Sequence, residues 1–368
     1  MIRRLWLRLR KAVTLRRVFK WSLVSLLAAT LLLLSPVVYV EAGCRGERAA
    51  QSYQPLITDP AFQRREANAY LTYPEWHIVY AYDGLAEALK RGDEHAFDYG
   101  SSVMGFWRST CALMRVADEH GGADWGTRST IHTIGVSFTA EMALKAAYEE
   151  TIGRVTAWLR GSEKTPQDKA VARMATDYSA FLRQTPWYEY PFGREARALW
   201  AAPASWSVRA WERRLGVGLE FTAKAGYAKV LAGAVAATEP AVLVIRSVVS
   251  GLDRAALEKM ADVKVVGPRA GGLEIETPRY DRFTRILADI ARRGGAVREI
   301  AGNDDIMVTL IVPANAESRV RHGRVILRTR REGFSSHRLI VDVKVADLAA
   351  LLKAYPLADP GLEHVFDY

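Results

Sequence analysis

The chain reads as mainly α and then α+β, with an N-terminal transmembrane helix, a helical domain and a C-terminal α+β sandwich. Three observations predict this. WSLVSLLAATLLLLSPVVYV, from Trp21 to Val40, is a run of residues without a single charge. Residues 72–238 carry helix caps, helix-starting prolines and terminal glycines between long periodic segments. From residue 241 the pattern shifts to short β-branched runs set among amphipathic helices.

The 368 residues suffice for two domains, each with its own core. The predicted divisions are a basic tail at 1–20, the apolar helix at 21–40, a polar juxtamembrane connector at 41–71, the helical domain at 72–238 and the α+β domain at 241–368. As a helix, the apolar run spans roughly 30 Å, the thickness of a bilayer's hydrocarbon core. Arg3, Arg4, Arg8, Arg10, Lys11, Arg16, Arg17 and Lys20 precede it with no acid among them. Cations on that side place the N-terminus in the cytoplasm and the body outside it, periplasmic in a Gram-negative cell. The same tail holds eight of the ten net positive charges, so the high pI says little about the body and argues against a nucleic-acid partner. A cleaved signal peptide is the rival reading, but the apolar run exceeds the usual 7–15 residues of a signal core. A lipidated Cys44 fits less well, because Glu41 interrupts the apolar lead-in.

Only Cys44 and Cys111 are present. An extracytoplasmic body would permit them to pair. The context FWRSTCALM instead favours Cys111 as a small buried core residue.

In the helical domain, helices are expected from Thr72 to before Gly92, from about Gly100 to His120, from about Arg128 to Arg160, from Pro166 to before Thr185, and from a Ser205 cap to about Ala237. Thr72 and Glu75 have the spacing of a capping box. Beyond Glu239-Pro240 come AVLVIRSVV, DRAALEKMA, VKVVG, LEIET, YDRFTRILADIARRGG, IMVTLIVP, the hairpin RVILRTRREGFSSHRLIVDVKV, VADLAALLKAY and EHVFDY. That order fits a ferredoxin-like βαββαβ arrangement with an added hairpin, an analogy of fold that carries no function. No internal repeat is legible. Residues 225–249 are apolar enough to suggest a second membrane segment, but Lys229, Glu239 and Arg246 oppose it, and Pro240 splits the stretch.

Four histidines, His77, His95, His120 and His132, fall in the helical domain with acids close by, as in bundles that hold a metal or haem. None has Glu-x-x-His spacing. Glu75 and His77 lie roughly 200° apart around a helix and cannot share a face. His120 reads as a helix-end residue. His77, beside Tyr80 and Gly84, and His132, beside Gly135 and Val136, remain the ligand or metal candidates. Glu141 joins them as a weaker one, within a surface ladder of Glu141, Lys145 and Glu149. The segment TPWYEYPFGREARALW either plugs the bundle or lines an apolar groove through Trp187, Tyr188 and Tyr190, with Arg194 for an anionic group. Arg324, Arg328 and Arg330 have even spacing, which predicts one strand face that is solvated or touches anionic lipid or an acidic partner. No phosphate-binding glycine loop, nucleophile elbow or HExxH occurs. The expectation is a single-pass anchored extracytoplasmic binding or scaffold protein that contacts an envelope partner. The alternative is an anchored metal- or haem-dependent enzyme centred on His77 and His132, with the cofactor itself unspecified.

Overall fold

The computed structural model describes residues 2–49, 53–92, 94–203, 206–236 and 243–367, with side chains from Arg17 onward and, in the long helix ending at Ala236, up to Gly233. The expected Ser205 cap, Asp93, the Glu239-Pro240 junction and the cations before Arg17 lie outside the described residues or side chains.

Helix α1 (Ile2–Gly43) continues through Pro36. Its Arg17–Gly43 portion is long and apolar enough to cross a membrane. The predicted basic tail and apolar segment are therefore parts of one helix. The connector begins only at Cys44, which forms a disulfide with Cys111, contrary to the reading of Cys111 as an unbonded core residue. The described remainder of the connector is a strap held at several points. Gly46 N–H donates to Asp118 (3.0 Å), Tyr53 OH and Ile57 N–H donate to the buried Glu299 (2.7 and 2.8 Å), and Arg64 N–H donates to Ala301 O (2.8 Å).

The helical region comprises α2 (Glu66–Ala69), α3 (Tyr73–Lys90), α4 (Tyr99–Glu119), α5 (Trp125–Tyr148), α6 (Arg154–Arg160), α7 (Pro166–Leu182), α8 (Phe192–Ala201) and α9 (Val208–Ala236). Asp98 and Asp124 cap α4 and α5, and Thr165 with Asp168 forms a full capping box on α7. The capping box expected at Thr72 and Glu75 is absent. A 3-10 turn, Tyr70–Thr72, feeds straight into α3, so Thr72 is already helical and its hydroxyl donates to Ala69 O. The long helix expected over 128–160 is interrupted by a π turn at Glu149–Gly153. Arg209 Nη1 donates to Gly153 O (3.0 Å) at the end of that turn. Residues 192–201, read as loop, form α8, because Phe192, Ala196 and Leu199 share one buried face.

Among the described residues, eight strands follow in two antiparallel sheets. β1 (Val244–Ser250), β2 (Lys264–Arg269), β3 (Gly272–Pro278) and β4 (Ala296–Ile300) make the first, in the order β2-β3-β1-β4. Helix α10 (Arg254–Glu258) joins β1 to β2, and α11 (Asp281–Arg292) joins β3 to β4. β5 (Asp305–Val312), β6 (Arg324–Arg330), β7 (His337–Lys344) and β8 (Gly361–Val365) make the second, β6-β7-β5-β8, with α12 (Val345–Ala354) between β7 and β8. β4 was not foreseen. Its AVREI carries two charges, and one of them, Glu299, is buried under the strap. With β4 present, a single sheet plus hairpin becomes two sheets. Counted from its own first strand, each has the order second-third-first-fourth, an internal correspondence that the sequence conceals.

The two faces of β5 tie the layers together. Met307 joins Ile340 and Phe366 in the core shared with α3 and α4. Ile306, Val308 and Leu310 join the other core, with α11, α12 and the first sheet. The second sheet thus lies between the helical bundle and the α11–α12 layer.

Candidate functional site

A cleft of about 520 Å³ opens between α3, α5, α9 and the segment after α7. Trp76 and Val79 supply one wall, Ile134 and Phe138 a second, and Leu182, Trp187 and Tyr227 the rim. Trp187 and Tyr227 are stacked with centroids 5.4 Å apart. The helix pattern explains the shape. Val79 and Tyr82 on α3, and Ile134, Phe138 and Glu141 on α5, follow at three- and four-residue spacings and so face one way.

The floor is ionic. Tyr82 OH donates to Glu141, and Lys224 Nζ donates to Glu141 (2.6 Å) and to the Tyr82 oxygen (3.2 Å). Lys224 also lies 3.1 Å from Glu220, which accepts from Lys145 at 2.7 Å. Burial pushes the Glu220 carboxyl up, but Lys145 and Lys224 more than offset it and hold it at about 2. The same balance lowers Glu141. Lys224, although buried, is raised by Tyr82, Glu220 and Glu141 and stays charged. The cleft therefore offers apolar walls to a ligand's body and a fixed set of charges to a polar end.

Glu141 and Trp187, predicted separately, meet in this cleft. The expected ladder along α5 runs across to α9 instead, as Glu141–Lys224, Lys145–Glu220 and Glu149–Arg213. Tyr188 is half-buried against Trp187, Tyr190 is buried with its hydroxyl toward Met174 O, and Arg194 pairs with Glu195. None of these three lines the cleft.

His77 and His132 are not brought together. His77 Nε2 donates to Ser102 O (2.8 Å), and the ring is enclosed by Phe106 and Phe138. A Cβ on Gly105 would come within 2.9 Å of it. Burial lowers the His77 pKa to about 4, so the ring is neutral. His132 Nε2 pairs with Glu41 Oε1 at 2.7 Å, at the end of α1. Gly135 beside it admits Phe106 and Trp107 of α4, so the small residue serves a close helix crossing.

The arginines of β6 do not form one face. A bulge between Val325 and Leu327 shifts the register, so Arg324 lies opposite Asp342 and Arg328 opposite Leu339, three residues apart on β7. Arg324 pairs with Glu119 (2.8 Å) and Asp342 (3.1 Å), and Arg328 donates to Ala314 O and Ala316 O. Arg330 sits near Asp98 and Glu332. The hairpin arginines are largely engaged within the molecule.

Two features went unforeseen. Glu66, His120 and Asp305, from three distant segments, gather one ligand atom each within 4.8 Å of one another. Only the acids near His120 in sequence hinted at this, and none of those is a member. The second feature is an apolar end of the helical body. α4 runs beside α1 in the same direction, with Arg115 at Gly43 O and Asp118 at Gly46. α5 returns antiparallel, with Arg128 and His132 at Glu41. Its later turns, α6 and the start of α9 therefore point toward the apolar part of α1. There Leu144, Val155, Trp158, Trp211, Leu215 and Leu219 are exposed, Trp158 to 80% and nearby Trp206 to 98%. No family model, curated protein or solved structure matches the chain.

Proposed function

We propose that the chain is a single-pass, membrane-anchored extracytoplasmic binding protein whose cleft takes an amphipathic ligand drawn from the bilayer. The carrying observation is the cleft itself, with its apolar walls, charged floor and stacked Trp187–Tyr227 rim. Its α5 wall begins at Thr133, next to His132, which touches Glu41 near the end of the apolar helix. An amphiphile leaving the outer leaflet has a short path there. The N-terminal cations support the cytoplasmic orientation of the tail, and the Cys44–Cys111 disulfide favours an oxidising compartment for the body. The exposed apolar end of α5, α6 and α9 fits rest against lipid. The β1-α10-β2-β3-α11-β4 order of the first sheet supports reading that unit as a ferredoxin-like arrangement, and the change from helices to strands supports a domain boundary near residues 238–241. A protein partner in the envelope remains compatible with the same surface. The metal- or haem-dependent alternative draws no support from His77 and His132, since each is spent on a different partner.

The test is native mass spectrometry of the full chain released from membranes, with displacement of a fluorescent fatty acid as the second readout. Wild type retains an amphiphile, and Trp187→Ala with Tyr227→Ala loses it. A wild-type chain that carries none and binds none of the probe overturns the reading.

A further inference from the structure

Separate from the cleft, at the seam of the helical bundle and the second sheet, three side chains converge. Glu66 lies on α2, His120 caps the C-terminus of α4, and Asp305 begins β5. His120 Nδ1 is 3.1 Å from Glu66 Oε2 and 3.9 Å from Asp305 Oδ2. Both carboxylates are buried. Ligands held about 2.0–2.2 Å from a first-row ion are themselves about 3.0–3.6 Å apart, so the His120–Glu66 separation already fits a coordination edge and Asp305 needs only a small side-chain shift to complete the set.

The hydrogen bonding around the imidazole decides what the gap wants. Tyr70 OH donates its one proton to Asp342 Oδ1 (2.8 Å). At the 3.1 Å contact between the same hydroxyl and His120 Nε2, the imidazole must then be the donor. With the proton on Nε2, the lone pair of a neutral ring sits on Nδ1 and faces two carboxylates. That arrangement is repulsive unless positive charge sits between them, either a proton on Nδ1 or a metal ion. Tyr70 and Asp342 stand where outer partners of a metal-ligating histidine stand, fixing its tautomer and orientation. Asp305 N–H donates to Glu66 Oε1 (3.1 Å), which turns Oε2 toward His120. Glu119, Asp304 and Asp342 add negative charge nearby, and Arg324 and Lys344 pair with members of this acidic set. A surface depression of about 550 Å³ is lined by Asp304, next to Asp305 in sequence, and by Lys344, which pairs with Asp305. Lys344, which pairs with Asp305, is more than half exposed and free to swing outward.

We propose that Glu66, His120 and Asp305 bind a divalent transition ion, with Zn²⁺ the best match to one imidazole and two carboxylates. The ion clamps α2 and the end of α4 to the first residue of β5. It keeps at least one coordination position for solvent or a ligand reaching in from the depression.

The test uses the full chain in detergent micelles, stripped with a chelator and dialysed against Zn²⁺, with bound metal counted by mass spectrometry. One zinc per chain is expected. Loss of an outer partner of a metal-ligating histidine costs about 10–100-fold in affinity, so His120→Ala should cost about 100-fold or more and Tyr70→Phe about 10-fold. Glu66→Gln and Asp305→Asn, which keep the side-chain shape, should each weaken binding while circular dichroism stays that of the wild type. Exposed His322→Ala should change nothing. A wild-type chain that retains no zinc overturns the proposal, leaving a proton as the occupant. Zinc retained equally by wild type, Glu66→Gln and Asp305→Asn overturns it as well.

Discussion

Cys44 is bonded to Cys111 across a sequence separation of 67 residues, which joins the first residue after α1 to the middle of α4. The bond closes a loop containing the strap, α2, α3 and half of α4. In the chain-entropy account, a loop of that length restrains the unfolded chain by about 4 kcal/mol. Cys44→Ser with Cys111→Ser should therefore lower the denaturant midpoint by an amount worth about that much. A reductant should produce the same loss in wild type and no further loss in the double variant. Equal stability with and without the bond would show that the loop is already ordered in the unfolded chain.

Much of the architecture was legible because local chemistry announced it. Gly121, Gly122 and Gly161 end their helices with positive φ, and Thr165-Pro166 starts one, as their spacing implied. What stayed hidden depends on pairing. β4 is short and charged, and only its burial beneath Tyr53 and Ile57 makes Glu299 acceptable in a strand. The β6 bulge reverses an alternation that even spacing seemed to guarantee. Glu141 was visible as an oddity in an apolar run, but Lys224, its partner, is 83 residues away. The Glu66–His120–Asp305 group could not be read at all, because no two of its members are close in sequence.

Arg209 should be among the most sensitive positions in the helical region. It is 1% exposed and donates to Asp168 (2.8 Å), Glu94 (2.9 Å) and Glu212 (3.1 Å). Arg209→Ala leaves buried carboxylates without their shared cation and should cost about 3–5 kcal/mol. Glu212→Gln should cost far less. Burial holds that carboxyl up at about 7, so near neutral pH it is already close to half protonated. Chemical denaturation of the two variants side by side checks the contrast, and equal losses would sink it.

Acid should act through opposed groups. Burial holds His77 at about 4 and His364 at about 3, below the ordinary 6.5. Each therefore contributes stability that is full above pH 6.5 and is lost as pH falls toward those values. Glu212 is raised to about 7, chiefly by burial. Its contribution is present below the ordinary carboxyl range and is lost as pH rises through that value. Between about pH 6 and 4.5 it opposes the two histidines and makes the wild-type loss on acidification shallower. Glu212→Gln removes one opposing group, so that variant should lose about 1.4 kcal/mol per pH unit relative to wild type in this window. Below about pH 4, Asp168 and Glu220, both held at about 2 by their cationic partners against the pull of burial, should destabilise every variant alike. Denaturant titrations at half-unit pH steps give the curves, and parallel curves for wild type and Glu212→Gln would refute the assignment.

The exposed apolar end supplies the last prediction, which turns on direction. α9 runs antiparallel to α5, since Arg213, Glu220 and Lys224 meet Glu149, Lys145 and Glu141 in reverse order. Leu215, Leu219 and Trp211 therefore lie at the same end of the helical body as Leu144, Val155 and Trp158, the end toward which the apolar part of α1 extends, and all are exposed. Tryptophan at such a surface is suited to a bilayer interface, where the ring has an apolar body and one donor to satisfy. With Trp6 and Trp21 replaced by Phe to silence α1, the full chain in vesicles containing brominated lipid should lose a clear fraction of its tryptophan emission. Trp158→Phe with Trp206→Phe should remove most of that quenching, because these two indoles are the most exposed in the body. Trp158→Glu with Leu215→Glu should abolish it while leaving the chain folded, as neither side chain belongs to a core. Quenching that persists undiminished when Trp158 and Trp206 are both Phe would place the contact elsewhere, and no quenching in the Trp6→Phe, Trp21→Phe background would mean that this face meets a protein rather than lipid.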